Sequence, residues 1–371
     1  MAYWVLPAFL VSLGAGPAQL GLIEGIAESV ASFAKLYSGY LTDRIQRRKP
    51  LVVGGYFVAN AVKPLLAVVT AWWHILLIRF ADRLAKGVRG APRDVMVAES
   101  VGKEKLGAAY GLIQSLDSAG AIAGPLAALI LLAHFGVRTV FWAAAVPGAL
   151  AVLVAIFGVK ETRTSHVSQN RRDMGYPTSV APSPRTSELP LSFYLVLAAV
   201  TLFSLGNSSD MFLVMRAQNV GIRISLAPLL GLVFNTTYTL GSWPAGWFSD
   251  RFSRRGLAAA GYLIFAGVYF VFGLAPSTSA IWITMAGYGI YYALTQPVLK
   301  ALVVETVSEE IRGRALGIYF FLTSGGTLAA SLITGELWKH WGPALPFYVS
   351  AGLALVSAML LMLAPKTRSN G

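Results

Sequence analysis

One apolar stretch of the sequence carries charged residues at a spacing that places them on one face of a helix. At about 100° per residue, six of them fall within about 120° of one another and a seventh lies just outside. The set comprises Arg79, Asp82, Arg83, Lys86, Arg93, Asp94 and, just outside, Arg89. Charge is costly inside a bilayer, so such a face lines a watery cavity or meets charged partners. It could bind a charged solute, although Arg93 and Asp94 could instead anchor the helix at the lipid headgroups.

Carboxylates in other apolar segments could supply the opposite charge. These are Glu28, Asp117 and Asp210. A carboxylate held away from bulk water can load and release protons near neutral pH. We therefore predict proton coupling through Glu28 or Asp117, with Arg83 and Lys86 as counter-charges. A purely structural ion pair is the competing interpretation.

The sequence offers little for covalent catalysis. It contains no Cys, and its four His residues lie far apart in predicted loops, so a metal site is not expected. It has neither a Gly-rich nucleotide-binding loop nor a nucleophile–base arrangement. We predict no enzyme activity, no metal and no cofactor. The net charge of +13 does not indicate a nucleic-acid-binding face, because the charges cluster between apolar segments.

Long apolar segments must position these side chains. Hydrophobic residues make up 56% of the 371-residue chain and charged residues only 13%, whereas soluble proteins carry about 25% charged residues. A helix needs about 20 apolar residues to cross a bilayer. Helices are predicted near residues 3–14, 19–42, 50–71, 75–99, 106–133, 139–159, 190–215, 225–249, 256–275, 279–304, 313–335 and 344–364. A soluble protein with a very large core is the alternative.

A polar segment divides these helices into two sets of six. It covers residues 160–189 and is rich in Ser, Arg, Pro and Thr, a composition that cannot build a core. We predict an N-terminal half over residues 1–159, a linker, and a C-terminal half over residues 190–371. Most Lys and Arg residues between helices lie on the side of the 42–50 loop, which marks that side as cytoplasmic. We therefore expect a multi-pass inner-membrane protein whose linker and C-terminus are cytoplasmic.

A charged loop occurs once in each half. Gly39-Tyr-Leu-Thr-Asp43-Arg44-Ile-Gln-Arg47-Arg48 recurs as Gly246-Trp-Phe-Ser-Asp250-Arg251-Phe-Ser-Arg254-Arg255. A second pair of segments, from Pro92 through Glu99 to Gly111 and from Pro297 through Glu305 to Gly317, follows at nearly the same spacing. Two pairs in the same order indicate halves related by an axis along the membrane normal, which is a transporter architecture. A duplicated structural membrane protein is the alternative.

The repeated loop resembles the signature of the major facilitator superfamily, Gly-x-Leu-x-Asp-Arg-x-Gly-Arg-Arg. Both copies depart from it at the second glycine, which is Gln46 in one and Ser253 in the other. The resemblance implies an all-α integral membrane fold with two pseudo-symmetric six-helix halves around a central cavity. It also implies that the loops control switching, because a carboxylate of the Asp43 type can exchange partners between two access states. Anchoring by the arginines alone would not explain the repeated Asp.

The charged fourth helix also resembles the superfamily. Arg83-x-x-Lys86-Gly87 is similar to its Arg-x-x-Gln-Gly motif, with Lys in place of Gln. The longer pattern, from Asp82 to Asp94, is similar to that of a bacterial permease subgroup with unassigned substrates.

Small residues in the fifth predicted helix resemble the antiporter motif of the superfamily. They are Gly111, Gly120, Gly124 and Pro125, and Ala128-Leu129 replace the closing Gly-Gly. The motif implies export of a substrate in exchange for protons. Small residues at this spacing also let helices pack closely, so helix packing with no bearing on direction is the alternative.

The first predicted helix is short. Met1 to Gly14 would give about 21 Å of helix, less than the roughly 30 Å thickness of the hydrocarbon core. The segment from Tyr3 to Leu10 resembles only the second half of the first helix of related permeases. We expect either a start upstream of Met1 or a truncated transporter.

These observations together predict a secondary active transporter of a small solute. We expect proton-coupled efflux by alternating access, in a monomer whose partners are the lipid bilayer, the solute and protons, with no nucleic acid. Uptake or exchange of an organic anion through a basic cavity is the alternative. A non-transporting membrane sensor or an inactive truncated permease is the alternative of another class.

Overall fold

The structure, a computed structural model, describes Phe9, Leu13 and residues 17–45, 47–161, 189–223, 226–274 and 277–363. Nearly all of these residues are helical, and no strand occurs among them. The first predicted helix except Phe9 and Leu13, most of the linker and the C-terminal tail fall outside the described residues.

The helices of the first half are α1 to α6. Their bounds are Pro17–Arg44, Lys49–Ala61, Trp72–Ser100, Leu106–Phe135, Val137–Ala143 and Ala145–Leu153. The helices of the second half are α7 to α13. Their bounds are Leu191–Gly206, Met211–Asn219, Ala227–Ser249, Arg254–Leu274, Thr278–Glu305, Arg312–Trp341 and Leu345–Leu363.

Five of the described helical segments are long and apolar enough to cross a membrane. They are Lys49–Val68, Arg138–Gly158, Arg254–Leu274, Glu309–Trp341 and Leu345–Leu363. Several of the remaining helices, α3 above all, carry the charged residues that the sequence places in the cavity.

The predicted seventh helix is interrupted. It was expected to run continuously over 190–215, but α7 ends at Gly206 and α8 begins at Met211. Asn207 has φ −98° and ψ 79°, outside the helical region. The run from Asn207 to Asp210 is polar, and such side chains compete with the helix for backbone hydrogen bonds. A carboxylate, Asp210, therefore lies where the helix is broken.

Two other predicted helices are also irregular. The third predicted helix ends at Ala61 and is followed by a 3₁₀ turn, Pro64–Val68, because Pro64 cannot donate the backbone hydrogen bond that would continue the helix. The sixth is divided into α5 and α6 and closes with a π turn at Val154–Gly158.

Glycines bring α3 close to both of its neighbours in the first half. A Cβ at Gly87 would lie 2.5 Å from Cβ of Ala34 on α1, and one at Gly55 on α2 would lie 2.6 Å from Cβ of Arg89. The charged helix is thus held between α1 and α2, with its position fixed by backbone contact.

The core of the second half is aromatic. The rings of Phe203 and Tyr262 stack with centroids 3.9 Å apart, and Phe265 stacks on Tyr269 at the same distance. The most extensive contacts between the halves are those of α1 with α12 and of α4 with α9. These two pairs carry the motifs that the sequence repeats.

Candidate functional site

Asp43, in the last turn of α1, holds the N-terminus of α12. Its Oδ1 accepts a hydrogen bond from the backbone N–H of Gly313 and its Oδ2 accepts one from the N–H of Arg314, both at 2.7 Å. The first N–H groups of a helix lack partners within the helix and carry the positive end of its dipole. A carboxylate from the first half therefore caps a helix of the second half.

Asp250, next after α9, makes the same contact in the opposite direction. Its Oδ1 accepts from the N–H of Gly107 at 2.7 Å and its Oδ2 accepts from the N–H of Ala108 at 2.8 Å, at the N-terminus of α4. We call these two arrangements the first clasp (Asp43 on Gly313 and Arg314) and the second clasp (Asp250 on Gly107 and Ala108).

Both clasps lie at the end of the helices from which the linker departs. Glu161, at the start of the linker, accepts backbone hydrogen bonds from Arg48 at 2.6 Å and Lys49 at 3.1 Å. The loop that follows Asp43 and the start of the linker are therefore adjacent. We call this end of the bundle the linker side.

Glycine backbones touch directly behind each clasp. A Cβ at Gly39 would overlap the carbonyl oxygen of Gly313, and a Cβ at Gly246 would overlap that of Gly107. Only residues without side chains allow helices to approach so closely. Further along α4, the Ser115 hydroxyl donates to the carbonyl of Thr239 at 2.7 Å. The halves are in tight contact on the linker side.

The arginines of the two loops behave differently. In the first half Arg48 forms an ion pair with Glu99 on α3. In the second half Arg254 pairs with Asp250 at 2.8 Å and with Glu305 on α11 at 2.7 Å. Equivalent glutamates thus receive an arginine, but the sequence repeat aligns Arg254 with Arg47 instead of Arg48.

The other loop arginines are placed as follows. Arg44 and Arg47 are exposed, and Arg255 is buried. The guanidinium of Arg251 lies 3.4 Å from the centroid of the Trp247 ring.

A buried ion pair joins the halves next to the clasps. Lys300 Nζ on α11 lies 3.2 Å from Asp94 Oδ2 on α3, and these side chains are only 11% and 2% exposed. Asp94 precedes Glu99 by the same number of residues as Lys300 precedes Glu305, so the two occupy equivalent positions in the repeat. We call Asp94 and Lys300 the axis pair.

Lys300 is absent from the predicted site, although a sequence signal was available. It is a lone cation in the otherwise uncharged stretch of α11 that precedes Glu305. Aligning the two halves on their glutamates places it opposite Asp94, which the charged fourth helix had already singled out.

Arg93 connects the axis pair with a carboxylate on α4. Its Nε donates to Asp94 Oδ1 at 3.2 Å, and its Nη1 lies 3.4 Å from Oδ2 of Asp117, whose side chain is 53% exposed. Arg93 and Asp94 are thus placed between helices, on the inner side of α3.

The remaining charges of α3 divide into two groups. The guanidinium of Arg89 lies 3.8 Å from the centroid of the Tyr56 ring on α2, and Asp82 pairs with Lys63 at 3.7 Å. Lys86 is exposed. Arg83, Arg89 and, from α1, Lys35 lie within electrostatic range of Lys86, as does the acid Asp82, so the surroundings of Lys86 carry a net positive charge.

The predicted carboxylates are not brought together. Asp210 is exposed at the break between α7 and α8 and accepts the hydroxyl hydrogen of Tyr288 at 2.7 Å. Glu28 lies on α1, and its side chain is outside the described part of the structure. Asp117 therefore interacts with the charges of α3, and Asp210 belongs to a separate aromatic region.

The fifth-helix motif has a packing role at one end only. A Cβ at Gly111 would lie 2.5 Å from the carbonyl oxygen of Ser242 on α9. At Gly120 a Cβ would meet no atom within 4 Å, so the predicted packing role does not apply there, because α4 borders open space at that level. Gly124 and Pro125 lie further along α4, and the side chain of Pro125 is outside the described part.

The described residues include no group of three or more His, Cys, Asp or Glu side chains that could hold a metal ion. The chemistry that this site offers is the making and breaking of ion pairs and hydrogen bonds between two halves.

Comparison with known proteins places the chain among transporters. The sequence matches the family described as the Major Facilitator Superfamily over residues 1–216 and 191–371. An uncharacterized MFS-type transporter of Methanocaldococcus jannaschii is 32% identical over 368 residues, covering 96% of this chain and 89% of that protein. The multidrug resistance protein MdtG of Escherichia coli is 24% identical over 95% of this chain and 87% of that protein.

Solved structures share the fold at low sequence identity. The proton:xylose symporter XylE superposes with a TM-score of 0.77 at 15% identity, covering 98% of this chain and 90% of that one. The human organic anion transporter MFSD10 gives a TM-score of 0.73 at 17% identity, covering 96% and 88%.

Proposed function

This chain belongs to the major facilitator superfamily, and from that premise we propose that it moves a small solute by alternating access and exports it in exchange for protons. It is a multi-pass membrane transporter, not an enzyme. The predicted all-α fold with two helical halves is confirmed by the same comparisons. We further propose that it acts as a monomer in the inner membrane, with the linker and C-terminus in the cytoplasm.

The two clasps are the observation that carries the proposal of alternating access. Each joins the loop of one half to a helix N-terminus of the other, and both close the linker side. Water can replace such contacts at a net cost of about 1 kcal/mol per hydrogen bond. Four hydrogen bonds therefore contribute a few kcal/mol, enough to hold one access state without preventing the other. Ligands shift conformational populations on the same energy scale.

Asp117 is the carboxylate best placed to couple protons to the clasps. It shares Arg93 with Asp94. A proton on Asp117 removes its attraction for Arg93, which then turns fully to Asp94 and competes with Lys300 for that carboxylate. Proton uptake from the side opposite the linker would thus weaken the axis pair and favour opening of the linker side. This is the direction that exchange of an outside proton for a cytoplasmic solute requires.

Two observations support export over import. Gly111, Gly120, Gly124 and Pro125 resemble the antiporter motif of the family, and Gly111 packs against α9 directly behind the second clasp. A relative that aligns over nearly the whole chain is named a multidrug resistance protein. Glu28 remains a second proton-carrying candidate because it lies on α1, which bears the first clasp.

Transport of an organic anion is the second candidate function, and the positive charge around Lys86 favours it. That exposed ammonium lies near Arg83, Arg89 and Lys35, an excess of positive charge that an anionic solute would neutralise. Competition by organic anions, and its loss in Lys86→Gln, would identify this mode of transport.

Proton coupling is tested with the full chain in liposomes that carry a preset pH gradient and an internal pH dye. Ethidium, fluorescein and chloramphenicol serve as cationic, anionic and neutral probes. We expect the wild type to dissipate the gradient when at least one probe is added, and Asp117→Asn or Glu28→Gln to lose this response. Glu336→Gln is the matched control, since this acid is exposed near the end of α12 and pairs with His340. Gradient-driven transport retained in both Asp117→Asn and Glu28→Gln would contradict the coupling mechanism.

A further inference from the structure

The break between α7 and α8 has the electrostatic character of a cation site. The carbonyl groups of the last turn of α7 lie at the negative end of the helix dipole, and Asp210 follows within the same break. The side-chain Oδ1 of Asn207 is buried and accepts no hydrogen bond within the described part of the chain. Oxygen atoms of three kinds, backbone, amide and carboxylate, are thus supplied at one interruption of the helix.

Aromatic side chains surround this carboxylate. Tyr288 on α11 donates its hydroxyl hydrogen to Asp210 at 2.7 Å, and the phenols of Tyr269, Tyr291 and Tyr292 lie within electrostatic range of the same carboxylate. The rings of Tyr288 and Tyr292 have centroids 5.1 Å apart. Aromatic faces attract cations, and the attraction grows when water is excluded.

The aromatic lining continues from Tyr292 onto α9, toward the other half. The ring centroids of Phe234 and Tyr238 lie 5.1 and 5.3 Å from that of Tyr292. Tyr292 and Phe234 are both partly exposed, so they can contact a ligand. Tyr238 in turn lies within electrostatic range of Asp117 on α4. A row of rings therefore leads from Asp210 to the interface between the halves.

Asp210 differs from the other carboxylates of the interior in its charge balance. Asp94 pairs with Lys300 and Arg93, and Asp117 pairs with Arg93. Among the described residues, no basic side chain acts on Asp210, whose resolved polar partner is Tyr288. Asp210 is also exposed at the break, so a cation arriving from solution can reach its carboxylate and the aromatic rings beside it.

We propose that Asp210, held in place by the buried Tyr288, and Tyr292 bind the positive charge of an organic cation, with Phe234 in contact with its apolar body. The inference rests on the proposed function, since it names the substrate class of the same transporter. A flat or amphipathic cation fits this site better than a bare metal ion, because rings and phenols make up most of its lining.

Ethidium binding to the purified full-length protein in detergent, followed by fluorescence anisotropy, tests the site. We expect Asp210→Asn to raise the ethidium Kd at least about tenfold, since the variant loses the charge that attracts the cation. Tyr292→Leu should raise the Kd several-fold, whereas Tyr292→Phe, which keeps the ring, should bind nearly as the wild type. Glu336→Gln is the control for loss of one negative charge and should leave the Kd unchanged.

The alternatives give different results in the same assay. Unchanged ethidium affinity in Asp210→Asn would overturn the proposal, as would displacement of ethidium by 100 mM NaCl but not by choline chloride of equal ionic strength, which would identify a sodium site. Thermal unfolding of each variant establishes that it is folded before its Kd is compared. Asp210 takes part in none of the hydrogen bonds of the two clasps. Spin-label distances across the clasps in Asp210→Asn therefore distinguish failure of the cation site from failure of alternating access.

Discussion

Asp43 and Asp250 make matching contacts in the two halves, although the arginines beside them do not. The difference follows from where the next helix begins. In the first half α2 starts at Lys49, after Arg48, whereas in the second half α10 already starts at Arg254. The first turn of α10 therefore sets the direction of the Arg254 side chain, whereas Arg48 lies at the end of the loop that precedes α2. Each nevertheless reaches the equivalent glutamate, Glu305 or Glu99.

Neutralising one clasp should weaken closure of the linker side. In Asp43→Asn one amide oxygen can still accept a hydrogen bond, but the charge and the second acceptor are lost. We expect a cost of about 1–2 kcal/mol to the closed state, which corresponds to roughly a tenfold population shift. The sequence has no Cys, so two introduced cysteines will be the only sites that take a spin label. Lys105→Cys and Glu310→Cys supply one exposed site in each half. Double electron–electron resonance should give a longer distance between the two labels in Asp43→Asn than in the wild type. An unchanged distance distribution would contradict a gating role for this carboxylate.

Charge reversal of the axis pair should rescue what either single change damages. Asp94→Lys places three cations together in a buried interface, and Lys300→Asp places two carboxylates there. Breaking a buried pair costs about 3–5 kcal/mol because an uncompensated charge remains. We expect each single variant to unfold at a lower temperature than the double variant Asp94→Lys/Lys300→Asp. If the decrease in unfolding temperature of the double variant equals the sum of the two single decreases, the two residues do not stabilise each other.

The sequence alone was enough to identify some of these functional residues but not others. The repeat singled out Asp43 and Asp250 because a charge at the same motif position in both halves is hard to attribute to anchoring. It did not reveal the contact between Asp210, which lies beside α8, and Tyr288, which lies on α11, because only tertiary packing brings them together. Gly120 illustrates the reverse case, since glycine spacing along α4 does not show which helix, if any, lies opposite.

At the scale of single elements, apolar content predicted where helices occur better than it predicted their continuity. The seventh predicted helix is apolar on both sides of Asn207, Ser208 and Ser209, so a hydropathy pattern passes over the interruption. Three adjacent polar residues that can bond to nearby backbone groups were the signal for a break. The π turn that ends the sixth predicted helix left no comparable signal, because Val154–Gly158 is as apolar as the helix before it.

Enlarging a glycine behind a clasp should hold α1 and α12 apart. In Gly39→Leu the new side chain would overlap the backbone of Gly313 and Gly317, which cannot move aside as a side chain would. We expect the label distance between Lys105→Cys and Glu310→Cys to lengthen. Gly90→Leu on α3 is the control, because a Cβ there meets no atom within 4 Å. Closure that survives in Gly39→Leu would mean that the backbone contact is not needed.

At the scale of the whole molecule, the two clasps and the axis pair are charged contacts between the halves on the linker side. Each half contributes one clasp carboxylate and one capped helix, so neither half can separate without releasing both clasps. If the halves move as rigid bodies, the two clasps must open together. The closed state should then lose the sum of the two individual contributions when both carboxylates are changed.

This additivity can be measured directly. We expect Asp43→Asn/Asp250→Asn to shift the open population by the product of the two single shifts, about a hundredfold if each is about tenfold. Label distances in the four proteins of the cycle provide the comparison. A double variant no more open than either single variant would show that one clasp already controls the movement alone.

The axis pair means that the two halves of this chain are not interchangeable. Asp94 and Lys300 take equivalent positions when the halves are aligned on Glu99 and Glu305, so two copies of the N-terminal half would bring two aspartates face to face in place of the natural ion pair. Unpaired charges in a buried interface are strongly destabilising. A chain rebuilt from two N-terminal halves should therefore be less stable than the same chain with Asp94 of its second copy replaced by lysine.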